Sequence, residues 1–244
     1  MIKKVIFQKI IFFNYSDDNL DGIINQKKLF VFPSGSGLPL INKNKKYYVA
    51  LKKADYVFFD SGFFVLLLRI LKNIKVKKFS GFKFLNLFFK YLRKNKRKSV
   101  FCIDPDLKIS KSNKKYLNRI GIKKIYNYIA PVYNPGNLKD KKLLKQINKL
   151  NPDFILTNIG GGTQEVLGLY LKKNLKKKTT IFCTGGAISF FTGDQAPINP
   201  LIDKLYLGLL IRLIFNPLIF YKRFFYTFKL FPMVLLNKVK ILNE

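Results

Sequence analysis

The sequence predicts an α/β fold: a Rossmann-like, mostly parallel sheet covered by helices. Three observations predict it. Short runs of β-branched and aromatic residues alternate with longer stretches of helical period. The strand candidates are nearly all apolar, as strands buried on both faces must be. Several of them end in small or acidic residues, which suits ligand-binding loops beyond the carboxyl ends of parallel strands.

Strands are expected at KVIF near residue 5, LFVF at 29–32, YVFF at 56–59, SVFCI at 99–103, KKIYNYI at 123–129, DFILT at 153–157 and TTIFCT at 179–184. Helices are expected at about 40–53, 62–73, 82–93, 107–119, 139–149, 164–175 and 186–192. The opening MIKKVIFQKIIFFNYSDDN lacks both a long apolar segment and a small-residue cleavage site, so it reads as a first strand rather than a signal peptide. The lysine runs at 94–98 and 172–178 precede strands and read as solvated helix ends, where cations face the negative carbonyl end. No linker interrupts residues 1–201, expected to form one Rossmann-like domain.

From residue 202 the character changes, and 202–244 is expected to be a C-terminal helical appendage. LYLGLLIRLIFNPLIFYKRFFYTFKLFPMVLL is almost wholly apolar, yet Arg212, Pro217, Lys222, Arg223 and Lys229 interrupt it. A spanning helix needs about 20 mainly apolar residues, and Arg212 splits the best stretch. A segment lying in the interface of an anionic membrane fits better, its apolar side chains among acyl chains and its cations at headgroups. A helix pair packed on the sheet, or in the subunit interface of a homo-oligomer, is the plainer alternative.

Composition narrows the chemistry. The 244 residues carry 46 Lys+Arg against 13 Asp+Glu, a net charge of +33, with no His and 2 Cys. Histidine-based zinc sites, Ser-His-Asp and Cys-His catalysis are excluded, so acid–base work falls to scarce carboxylates. Hydrophobic content of 48% excludes a disordered polycation. The charge implies an anionic partner: nucleic acid, lipid or a phosphorylated substrate. A nucleic-acid-binding or RNA-modifying protein is the chief rival reading, disfavoured because the lysines are scattered and the most aromatic basic segment is too apolar for an RNA surface. The second rival is a non-catalytic membrane scaffold for polysaccharide assembly.

Five strand ends can converge on one crevice: PSGSG at 33–37, DSG at 60–62, IDPD at 103–106, NIGGGTQE at 158–165 and TGGA at 184–187. Gly160, Gly161 and Gly162 permit close backbone approach to a phosphate or sugar before Gln164 and Glu165 open a helix, or simply make a tight turn. Neither a dinucleotide fingerprint nor a Walker loop is present. Asp60 stands at a strand's end, where partial burial would raise its pKa toward that of a useful base; a helix cap is the alternative. Gly185 and Gly186 form another backbone-contact turn, with Ser189 and Gln195 as neutral hydrogen-bonding groups. Asp104 and Asp106, two apart and compatible with a hard metal, read mostly as turn residues. No metal or cofactor is expected.

The ordered set PDFILTNIGGGTQE at 152–165, CTGGAISFFTG at 183–193, QAP at 195–197, LGLLIRLIFNP at 207–217 and KRF at 222–224 resembles the WecG/TagA/CpsF glycosyltransferases of bacterial cell-surface polysaccharide and teichoic acid linkage. The resemblance spans roughly residues 28–232. ADYVFFDSG at 54–62 is similar to the family's Ala-Asp and Pro-Asp-Gly signature, which puts Asp60 in the place of its catalytic base. Departures are Phe59 for proline, Phe32-Pro33-Ser34 for Thr-x-Asn, Lys83 in a Gly-x-Asp position, Ser189 for Asp and Gln195 for Arg. The resemblance implies a UDP-sugar donor, a polyprenyl-diphosphate-linked glycan acceptor and a peripheral position on the cytoplasmic face of the bacterial plasma membrane. It also implies substrate contacts by Ser34, Gln164 and Glu165. Arg212, Lys222 and Arg223 are the candidates for binding diphosphate.

Overall fold

The computed structural model describes residues 4–15, 20–134, 138–195, 200–204, 206 and 208–242. In chain order it contains β1 (Lys4–Phe7), β2 (Ile10–Phe13), α1 (Asp21–Ile24), β3 (Leu29–Val31), a 3₁₀ turn (Leu38–Asn42), α2 (Lys45–Lys53), β4 (Tyr56–Phe58), α3 (Gly62–Lys72), α4 (Gly81–Lys94) and β5 (Ser99–Asp104). There follow α5 (Leu107–Arg119), β6 (Lys124–Ile129), α6 (Lys141–Leu150), β7 (Phe154–Thr157), α7 (Thr163–Asn174), β8 (Thr180–Cys183), a 3₁₀ turn (Gly185–Ile188) and α8 (Ser189–Thr192). The chain ends in α9 (Pro200–Lys204), α10 (Gly208–Phe215), α11 (Pro217–Thr227), α12 (Leu230–Leu236) and β9 (Val239–Leu242).

The nine strands form one sheet in the order β6-β5-β7-β8-β3-β4-β2-β1-β9. Every neighbouring pair from β6 to β2 is parallel, while β1 runs antiparallel to both β2 and β9. Alternation along each strand supplies two cores. Leu29, Val31, Phe101, Ile103, Ile155 and Ile181 face one side; Phe30, Phe32, Val100, Phe154, Leu156 and Phe182 face the other. On that second side Phe30, Phe84, Phe88 and Phe182 pack ring against ring at 4.7–6.3 Å. Much of the aromatic content that an RNA surface would use is therefore interior.

Local chemistry sets the helix starts. Asn44, Ser61, Ser80, Asp106 and Asp140 cap α2 to α6 in turn, each side chain accepting a backbone N–H of the first turn. Asp106, read from the sequence as a turn residue, is thus a cap. Asp104 is no turn residue either: it completes β5 and is fully buried, because three asparagines supply it with donors.

Two strands were not expected. The N-terminal strand is a hairpin, turned at Gln8 and Lys9, which both take positive φ (51° and 60°). Asn-Gly usually marks such a turn, so this one carries no compositional signal. At the other end β9 returns beside β1, so the last element of the appendage is a strand of the same sheet. α12 packs beside α3, where Lys72 Nζ donates to the Leu235 carbonyl at 3.0 Å. Among the described residues no helix is long and apolar enough to cross a membrane.

Candidate active site

The carboxyl ends of β3, β4, β7 and β8 open into a cavity of about 450 Å³, closed above by α9 to α11. That volume suits a small-molecule ligand. Four of the five expected strand-end segments line it; the fifth, 103–106, does not, because Asp104 turns into the interior.

Asp60 lies two residues beyond β4, and its Oδ1 accepts the Gly81 N–H at 2.8 Å. Gly81 is the first residue of α4, so the carboxylate is held by a helix N-terminus. The side chain lines the cavity, and burial raises its pKa to about 6 against the opposing pull of that hydrogen bond and of Lys78 and Arg212. A carboxylate so placed is ionised at neutral pH yet basic enough to take a proton.

The glycine turn is fixed from below. Gly162, at φ +88°, caps α7, and its N–H donates to Glu165 Oε2 at 2.7 Å. Glu165 Oε1 accepts from Gln164 Nε2 at 3.1 Å, while Gln164 Oε1 accepts the Gly185 N–H at 2.7 Å. One amide therefore clamps the β7 and β8 turns together. Gly185 needs its positive φ of 57° to present that N–H. Glu165 is buried, which raises its pKa to about 7 despite these donors.

The appendage completes the cavity. Asp203 of α9 accepts from Lys78 Nζ at 2.6 Å and from Ser80 Oγ at 2.7 Å, which ties α9 to the start of α4. Tyr206 lies against Gly62, where a Cβ would stand 2.7 Å from its side chain. Gly35 is crowded likewise, its virtual Cβ 2.7 Å from Ser61 Oγ and 3.0 Å from Thr227 of α11. Arg212 stacks its guanidinium 4.5 Å over Phe190, and burial lowers its pKa even though Asp60 opposes the change. Its Nε has no hydrogen-bond partner among the described residues. Arg223 lines the same wall, 5.5 Å over Phe220.

Of the residues proposed from sequence, Ser34, Asp60, Gly160, Gly161, Gln164, Glu165, Gly185, Gly186, Gln195, Arg212 and Arg223 line this cavity. Ser34 Oγ accepts the Gly37 N–H at 3.2 Å, and Gln195 closes over Gly186. Gly162, Ser189 and Lys222 are not in the lining. Gly162 turns the backbone behind it, Ser189 is buried at the start of α8, and Lys222 is exposed on α11. Ala196 and Pro197 of the QAP motif, and Leu207, fall outside the described residues.

Sequence reasoning missed Lys78, Ser80, Asp203 and Tyr206. Ser80 was detectable as the residue before the α4 pattern, a helix-cap signature. Lys78 and Asp203 are 125 residues apart and had no signal. Among the described residues no group of three or more His, Cys, Asp or Glu is placed to hold a metal ion.

A parallel sheet with a cavity beyond its strand ends, a carboxylate at the base and arginines in the wall defines an α/β group-transfer enzyme. Residues 15–243 match the model of the Glycosyl transferase WecG/TagA/CpsF family, and the chain belongs to that family. It is a glycosyltransferase, consistent with transfer of hexose or N-acetylhexosamine. No curated protein matches the chain.

Proposed function

We propose that the enzyme moves a sugar from a UDP-sugar to a polyprenyl-diphosphate-linked acceptor by a single displacement that inverts the anomeric centre. The observation that carries this reading is Asp60, its pKa near 6, sharing one cavity with Arg212. Asp60 takes the proton of the acceptor hydroxyl as its oxygen bonds to the anomeric carbon; the bond from that carbon to the UDP oxygen breaks, and UDP leaves on the opposite face. Charge gathers on the departing diphosphate, where Arg212 and Arg223 stabilise it more than they stabilise the ground state. Gln164, Gly160 and Gly185 supply fixed polar groups for the sugar and nucleotide, with Ser34 and Gln195 at the sugar's rim.

The acceptor's location follows from its chemistry. A polyprenyl chain stays in the bilayer, so the cavity must come to the headgroups. Ile214, Phe215, Leu218, Tyr221, Phe225 and Phe231 are exposed on α10 to α12, with Lys222, Arg223 and Lys229 among them. This pattern supports peripheral binding to an anionic membrane, on the cytoplasmic face where nucleotide sugars are made.

The test is a panel of UDP-sugars with a short polyprenyl-diphosphate-sugar acceptor, reading product mass and anomeric configuration. A product of inverted configuration is expected. Retention would remove the single displacement, and no transfer from any UDP-sugar would remove the donor class.

A further inference from the structure

Among the described residues six buried side-chain nitrogen or oxygen atoms have no hydrogen-bond partner. Three of them, Thr184 Oγ1, Gln195 Oε1 and Arg212 Nε, belong to residues that line the cavity. The other three belong to Asn113, Asn127 and Asn158, whose amide nitrogens already bind Asp104. Buried polar groups are nearly always paired in a finished fold, so three in one cavity wall call for a ligand.

The three groups are neighbours. Thr184 follows β8 and opens the 3₁₀ turn Gly185–Ile188. A threonine at such a start usually turns its oxygen onto a backbone N–H, but this one makes no capping bond and is only 7% exposed. A Cβ on Gly81 would stand 3.5 Å from the Thr184 carbonyl oxygen and 3.8 Å from Asp60 Oδ1, so this turn borders the base. A Cβ on Gly186 would stand 2.6 Å from Gln195 Nε2, which places that amide on the same turn. The Gln195 N–H donates to the Ser189 carbonyl at 3.2 Å, and Arg212 stacks on the next residue, Phe190.

Their chemistry selects the ligand. An arginine Nε–H only donates, an amide oxygen only accepts and a threonine hydroxyl does both. A phosphate or carboxylate brings only acceptors and would leave Gln195 Oε1 unmatched, while an acyl chain would match none of the three. Neighbouring hydroxyls of a sugar, each both donor and acceptor, match them all. We propose that Thr184 is a specificity-determining residue, which with Gln195 Oε1 and Arg212 Nε holds hydroxyls of a reacting sugar beside Asp60. The Thr184 hydroxyl can turn among staggered positions about χ1, so a bound sugar draws it into the bond. The terminal nitrogens of Arg212 remain for the diphosphate. This assignment rests on the proposed transfer chemistry, yet it requires only a sugar in the cavity and not a uridine nucleotide.

Thr184→Val keeps the shape of the side chain and removes its hydroxyl. Because that hydroxyl has no partner in the fold, the full-length variant should melt no lower than the parent. Its kcat/KM should fall roughly 10–10²-fold on the donor the parent uses. The donors are UDP-, GDP- and dTDP-linked hexoses and N-acetylhexosamines, with single-position deoxy forms of the best donor and of the acceptor sugar. Parent and variant should become equal on the one deoxy substrate that lacks the hydroxyl held by Thr184; whether it is a donor or an acceptor tells which sugar sits there. Transfer from GDP- or dTDP-sugars alone would remove the UDP donor and leave this comparison intact. If the parent transfers nothing, the rise in melting temperature with each sugar nucleotide and with the acceptor is compared instead, and should be smaller in the variant. A variant that melts several degrees lower, keeps parental kcat/KM, or loses the same factor on every deoxy substrate would overturn the assignment. So would a parent whose melting none of these sugar compounds shifts and which transfers none of them.

Discussion

The Asp60 Oδ1 atom sits 2.8 Å from the amide nitrogen of Gly81, and that bond fixes the carboxylate without neutralising it. It orients one oxygen of a carboxylate that lines the cavity. An asparagine at position 60 keeps the accepting oxygen, so Asp60→Asn should retain the fold. It should lower turnover about 10²-fold or more, because the amide takes no proton. Steady-state transfer assays beside thermal melts check this, and near-parental turnover by the variant would remove Asp60 as the base.

The raised pKa of the same group sets two pH dependences of opposite sense. Activity needs the ionised form, so kcat/KM should rise with pH to a plateau, with its midpoint near 6. Stability runs the other way. The folded carboxyl binds its proton more tightly than an unfolded aspartate of pKa 3.8 does, so its contribution is fully present below that value and is lost as pH rises through about 6. The loss is on the order of 3 kcal/mol at most, and less in so far as the cavity admits water. Glu165 adds a loss of the same sign between 4.5 and about 7. Denaturant unfolding from pH 4 to 8 should show falling stability in the parent and a smaller fall in Asp60→Asn; equal slopes would refute the burial of the carboxyl.

The sheet was legible because its strands are apolar on both faces, and the glycine turns because they interrupt that pattern at strand ends. What escaped notice was long-range or unmarked. The Gln8-Lys9 turn forms in residues that rarely make one, so β2 merged with β1. Lys78 and Asp203 acquire meaning only when α9 folds over α4. Asp104 looked like a turn residue because Pro105 follows it, whereas three asparagines from α5, β6 and the end of β7 make a buried carboxylate tolerable there. Periodicity reports which face is buried, not which polar groups meet in three dimensions.

The Lys78–Asp203 contact predicts how the appendage tunes the base. Asp203 raises the pKa of Asp60 through its negative charge, while Lys78 lowers it. Asp203→Ala removes the first effect and leaves Lys78 without its 2.6 Å partner, so the acid limb of kcat/KM should move below 6. Stability should also fall, since a mostly buried ammonium loses its counter-charge. A limb that stays near 6 would mean that the ion pair has no influence at the base.

Gly62 tests whether the appendage must lie where it does. A Cβ there would stand 2.7 Å from Tyr206 Cβ and Cγ, so Gly62→Ala should displace the α9–α10 connection and cost about 1–3 kcal/mol and most of the activity. Removing the whole side chain by Tyr206→Gly, at a φ of 64° that glycine adopts readily, opens the space. In that background Gly62→Ala should become neutral or stabilising by about 0.5–1 kcal/mol, since alanine suits a helix better than glycine. Additive losses in the double variant would show that the two side chains do not meet.

The exposed face of α10 to α12 separates membrane binding from chemistry. Leu218 is 94% exposed and Phe225 59%, and neither lies in the cavity wall. Exposed apolar side chains contribute little to folding, so Leu218→Ser with Phe225→Ser should fold normally and keep its rate on a short, water-soluble acceptor. Burying both groups in a bilayer is worth about 1.5–3 kcal/mol each, so the double variant should bind anionic vesicles at least 10²-fold more weakly and lose transfer to a long-chain acceptor in proportion. Flotation with vesicles containing anionic lipid, at low and high salt, distinguishes the apolar share from that of Lys222, Arg223 and Lys229, because only the latter is screened. Unchanged flotation by the double variant would assign this face to something other than lipid.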